Sequence, residues 1–119
     1  MNHLSLKPQW SDKEYRDAYL DASIEQGIAW QIRINRQLRG LTEDEFADLL
    51  KIEKPELAKL ENPEEGTYNL EDLVRIAKVF DCALEVKFIP YSELARNSLN
   101  LSEQVQFAAP YSSEVVEYD

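Results

Sequence analysis

Apolar residues recur at helical spacing three times between Thr42 and Phe80, and the period then shortens to two. Phe46, Ala47, Leu49 and Leu50 form one stripe, Leu57, Ala58 and Leu60 a second, and Leu73, Ile76, Ala77 and Phe80 a third. Such i, i+3, i+4 recurrence is that of amphipathic helices. Beyond them, Leu84, Val86 and Phe88 alternate with Glu85 and Lys87, the pattern of a half-buried strand. Pro90 stops that strand, and Tyr91 to Asn97 reads as one more short helix.

The polar residues between the stripes mark where the elements begin and end. Thr42 is an N-cap with Glu45 three residues on, and Leu41 and Phe46 stand at the two positions of a hydrophobic staple. Lys51 occupies a turn. Pro55 falls in the first turn of the next helix, where its missing N–H is harmless, and Asn62-Pro63 ends it. Asn69 caps the helix that carries Leu73 to Phe80. Upstream, Ser11 is the expected N-cap of a first helix, with Glu14 completing a capping box and Trp10 and Tyr15 as its staple. Tyr15, Tyr19, Ala22 and Ile24 continue that helix to Gln26. Gly27 interrupts as a kink or break, and a second helix runs from Ile28 to Arg39, its inner face Ile28, Ile32 and Leu38, closed by Gly40 at a favoured C′ site.

These elements predict a mainly α fold: a five-helix bundle containing a helix-turn-helix, an extra N-terminal helix and one C-terminal strand. The expected divisions are a leader and helix over 1–27, the helix-turn-helix domain over 28–80, a strand and short helix over 81–99, and an acidic flexible tail over 100–119. In a helix-turn-helix two short helices cross closely around a tight turn. A small residue, here Ala47, is needed at the contact, with apolar residues on both sides of the turn, here Leu50, Ile52, Leu57 and Leu60. A lone strand needs a partner for its backbone groups. The leader near Leu4–Leu6, the tail near Gln104–Phe107, and the same strand of a second subunit are the candidates. Pairing across a two-fold homodimer, with Leu84, Val86 and Phe88 at the interface, is the expected solution.

The residues Arg39-Gly40-Leu41-Thr42, Phe46-Ala47, Leu50, Ile52, Leu57, Leu60-Glu61-Asn62 and Leu73-Ile76-Ala77 resemble those of the Xre family of phage-repressor-like regulators. The resemblance covers roughly residues 24–80, and the tract Leu84 to Leu94 looks like an extension found in one branch that includes autoregulatory antitoxins. It implies a dimeric regulator that binds operator DNA, with a protein partner such as a toxin in the antitoxin case. Thr42, Glu43, Lys54, Glu56 and Lys59 would then face the groove, and Arg33, Arg36 and Arg39 the phosphates. The chain departs from the family pattern in having Glu43 for the usual Gln, Lys51 for the usual Gly, and Glu53-Lys54-Pro55-Glu56 for a Ser-Gln-rich run.

Charge complicates this expectation. The 119 residues hold 13 Lys+Arg against 23 Asp+Glu, a net charge of −10, whereas nucleic-acid binders usually show the opposite balance at least locally. From Thr42 to Asn62 there are seven acids and three lysines, so 3 − 7 = −4, and acids work against the counterion release that favours DNA binding. Glu43, Asp44, Glu45 and Glu56 lie in first turns of helices, where the macrodipole favours them in any case. An acidic protein-interaction module on the same bundle is therefore the second reading. Enzyme chemistry is not indicated. Cys82 and His3 are single, so neither a Ser-His-Asp triad nor a Cys-rich or His-based metal site can be assembled within one chain; the three glycines are isolated, and no cofactor is expected. Without a long apolar run, the sequence predicts no membrane span and a cytoplasmic protein.

Overall fold

The computed structural model describes residues 6–65 and 67–118. Six α-helices follow one another: α1 (Lys13–Leu38), α2 (Glu43–Leu50), α3 (Lys54–Leu60), α4 (Leu70–Phe80), α5 (Tyr91–Asn97) and α6 (Glu103–Gln106). Short 3₁₀ turns at Pro8–Ser11 and Tyr111–Ser113 flank them.

The core forms where α1, α2, α3 and α4 meet. Ile32 of α1, Phe46, Ala47 and Leu50 of α2, Leu57 of α3, and Ile76 and Phe80 of α4 are buried together. The rings of Phe46 and Phe80 stack with centroids 5.0 Å apart. Leu49 and Ala58 lie outside this core, because short helices among few neighbours bury a narrow stripe; Leu49 is 54% exposed and Ala58 is also exposed.

Three helices stop by the same device. Gly40, Lys51 and Asp81 adopt left-handed backbone conformations, with φ of 71°, 59° and 56°. The next residue in each case donates its N–H back across the last turn: Leu41 to Arg36, Ile52 to Ala47 and Cys82 to Ala77. This is the Schellman closure. Its hydrophobic contact is present each time, since Leu41, Ile52 and Cys82 all pack on the core. The starts are as local as the ends. Thr42 Oγ1 accepts from the Glu45 N–H and Glu45 Oε1 from the Thr42 N–H, both at 3.1 Å, and Asn69 Oδ1 accepts from the Asp72 N–H at 2.8 Å.

Four expectations require correction. Gly27 does not divide the N-terminal region; α1 is one helix of 26 residues passing through it. A single interior glycine costs about 1 kcal/mol relative to alanine, less than breaking the hydrogen bonds of a turn. The N-cap of α1 is Asp12, which accepts from the Glu14 N–H at 3.1 Å. Ser11 instead donates to the Pro8 carbonyl at 2.8 Å, while Trp10 and Tyr15 still meet edge to face.

The strand expected over Leu84–Phe88 is not formed, and no strand occurs among the described residues. No backbone group of residues 83–89 pairs with another backbone group there, and Val86 and Phe88 stand open to solvent. Alternation supplies a strand's side-chain pattern but not its partner. Gln104–Phe107, one proposed partner, is occupied in α6 and its C-cap; most of the leader candidate lies outside the described residues, as does His3. The fold class is thus a six-helix, mainly α bundle, without the C-terminal strand or the strand-paired dimer of Leu84, Val86 and Phe88.

The C-terminal region is not a loose tail throughout. Asn35, buried in α1, donates from Nδ2 to the Gln106 carbonyl at 2.9 Å and accepts at Oδ1 from the Ala108 N–H at 2.8 Å. The Tyr111 N–H reaches the Asp81 carbonyl at 2.8 Å. Residues 106–111 are therefore fastened to the ends of α1 and α4.

Candidate nucleic-acid interface

α2 and α3 are joined by Lys51, Ile52 and Glu53. Burial of Ala47 and Leu50 on one side of the turn and Leu57 on the other fixes which face of α3 remains outside. That face carries Lys54, Pro55, Glu56, Ala58 and Lys59, all exposed. Lys54 Nζ lies 3.2 Å from Asp44 Oδ1, an ion pair that links the starts of α2 and α3. Both side chains are well exposed, so its contribution is small and Lys54 remains free to exchange that partner. Glu43 is exposed on the first turn of α2. Thr42 is exposed too, with its hydroxyl serving as the cap acceptor.

The three arginines of α1 have separate fates. Arg33 is exposed and has no ion-pair or hydrogen-bond partner among the described residues. Arg36 is only 7% exposed. Its Nε and Nη2 grip both oxygens of Glu61, at 2.7 and 3.0 Å, while Nη1 donates to the Leu41 carbonyl at 3.0 Å. The hydrogen bond to Glu61 raises the guanidinium's pKa above its ordinary value. This bidentate pair bolts the far end of α3 to α1.

Arg39 is half-buried and bridges three segments. Nη1 donates to the carbonyl and the side-chain oxygen of Asn35, and Nη2 to the carbonyls of Phe80 and Ala108, both at 2.7 Å. Its guanidinium also lies over the rings of Phe80 and Phe107, 4.6 and 5.1 Å from their centroids. Burial lowers its pKa. Arg36 and Arg39 thus spend their donors inside the protein. The i, i+3 spacing that suggested a basic stripe does not put the two heads on one open face.

The structure adds one cation that the sequence reading passed over. Arg75, exposed on α4, lines the same shallow cleft as Glu56 and Lys59 of α3. Nothing local marks it, because the cleft exists only once α3 and α4 are both placed on α2. With Lys51, Lys54 and Lys59, also exposed, it makes the surroundings of α3 less acidic than the linear count. Glu61, in turn, has its charge satisfied by Arg36.

A short capped helix, a left-handed turn and a second helix displayed on the surface constitute a helix-turn-helix unit. Residues 32–87 match a helix-turn-helix family model. That segment, 56 of the 119 residues, is therefore similar to a helix-turn-helix domain. No curated protein and no solved structure matches the chain. Among the described residues, no group of His, Cys, Asp or Glu is placed to hold a metal ion, and no helix is long and apolar enough to cross a membrane.

Proposed function

We propose that the protein is a transcriptional regulator that represses by placing the exposed face of α3 in the major groove of operator DNA. The observation that carries this reading is the outward display of Lys54, Glu56 and Lys59 on the second helix of a helix-turn-helix domain. In this geometry the first turn of that helix approaches base edges. Lys54 and Lys59 supply donors for guanine, and Glu56 an acceptor for cytosine N4. Thr42 and Glu43 open the preceding helix at the groove's edge. Lys51 and Arg75 join Arg33 as phosphate contacts, while Arg36 and Arg39 hold the fold.

Two copies bound to a palindromic operator, and repression of the protein's own operon as an antitoxin does, are part of the same proposal. A two-fold complex matches half-sites one turn of B-DNA apart. Strand pairing through Leu84–Phe88 is not part of it, since that segment forms no strand.

A second reading is favoured by Glu43, Asp44, Glu45, Asp48, Glu53 and Glu56, all exposed: a DNA-like acidic surface that meets a basic protein. Titration of labelled upstream and random duplexes separates the two. The regulator reading expects binding at about 20 mM salt, where electrostatic attraction is least screened, and preference for the upstream duplex. Absence of any complex at that salt would overturn it in favour of the acidic module.

A further inference from the structure

A cavity of about 560 Å³ opens beside the middle of α1, between the helix, the end of α3 and the C-terminal arm. Its size is that of a small-molecule cleft, and its walls are mainly apolar and aromatic, with Tyr19, Trp30, Pro63 and Leu101 prominent. Two charged residues reach it. Glu61 is neutralised by its bidentate pair with Arg36. Arg33 is unpaired among the described residues, so the uncompensated charge of the cleft is positive.

Gly27 is the independent observation. It lies inside α1, where glycine costs helix stability, yet a Cβ built there meets nothing within 4 Å. Close packing therefore does not require it. Gly27 lines this cavity and also a neighbouring one of about 540 Å³ that shares Tyr19, Ser23 and Leu101. A larger side chain at this position would project into free space that the glycine leaves open.

We propose that this cleft is a binding site for a flat aromatic monocarboxylate, with its ring against Trp30 and its carboxylate on Arg33, one turn further along α1. Arginine's planar fork suits a carboxylate, and an aromatic ring suits the walls. The site stands whether or not α3 meets DNA, since its test needs no DNA.

Calorimetric titration of the full chain with naphthalene-2-acetate and with naphthalene-2-acetamide tests it. Saturable binding of the acid is expected, with the amide about tenfold weaker or more, because only the acid forms a charge-assisted pair. Arg33→Gln should bring the two ligands to equal affinity. Gly27→Met should abolish binding of both while the thermal melt is retained, since its Cβ meets no neighbour. No saturable binding up to about 1 mM, a site of negligible affinity, would overturn the proposal. So would equal affinity for acid and amide in the natural protein, or undiminished binding by a folded Gly27→Met.

Discussion

Arg39 Nη1 donates to Asn35 Oδ1 at 3.0 Å, and that same oxygen accepts the Ala108 N–H at 2.8 Å. Two side chains one helical turn apart thus set the position of a segment about seventy residues downstream. Asn35→Ala removes both bonds and leaves the part-buried Ala108 N–H without its acceptor, whereas Arg39 Nη1 keeps the residue 35 backbone carbonyl; an unpaired buried donor costs about 1–3 kcal/mol. The expected loss is about 2 kcal/mol in urea unfolding, with faster hydrogen exchange at Ala108. Arg39→Lys should be nearly as harmful as Arg39→Ala, because a lysine cannot make the fork or the double stacking. Unchanged exchange at Ala108 in Asn35→Ala would remove the clasp from the account.

The Arg36–Glu61 pair makes a sharper demand. Side chains this buried leave an uncompensated charge when one partner is deleted, at a cost of about 3–5 kcal/mol. Arg36→Ala and Glu61→Ala should each destabilise by that order, while the double variant falls well short of their sum. Additive losses in a double-mutant cycle would mean the pair is not coupled.

Lys51 holds a left-handed backbone, φ 59° and ψ 43°, that costs a non-glycine residue about 1 kcal/mol. Lys51→Gly should therefore stabilise the protein by about 0.5–1 kcal/mol, with a higher melting temperature. Loss of stability would contradict a left-handed turn at this position.

Burial pushes the Cys82 thiol above its ordinary pKa, with Asp81 adding to the effect and Arg39 opposing it. A thiol reagent at about pH 8 should label Cys82 several-fold more slowly than free cysteine, since the thiolate is the nucleophile. The sign for stability follows from proton binding. The unfolded thiol loses its proton first, near about pH 8.5, so this group's contribution is complete below that pH. It is lost as pH rises towards the folded value. Cys82→Ser should flatten that alkaline decline. Labelling as fast as free cysteine would contradict the burial.

Local chemistry made much of this fold legible in the sequence. Thr42 with Glu45, Asn69 with Asp72 and Pro55 in its first turn involve neighbours only, and each occurs where the residues indicate. The limits of α5, Tyr91–Asn97, follow likewise from Pro90. What the sequence concealed depends on distant partners. Arg36 and Arg39 read as a basic stripe because Glu61, Phe80 and Ala108 are far away along the chain. Leu84–Phe88 reads as a strand because alternation does not reveal that no partner is there. Ser11 and Asp12 are both good caps, and choosing between them turned on a single backbone N–H. Of the candidate interface, Lys54, Glu56 and Lys59 came with the family resemblance, whereas Arg75 came into view only once α3 and α4 were both placed on α2.

The most direct measurement is the salt dependence of affinity for the upstream duplex, compared between the natural protein and a Lys54→Gln, Lys59→Gln, Arg75→Gln variant. If α3 and its neighbours meet DNA, the natural protein binds with log K falling steeply as log salt rises. The variant then binds more weakly, with a slope shallower by about one for each phosphate contact removed. Equal slopes and affinities in the two proteins, or no binding by either, would contradict the assignment of this face to DNA.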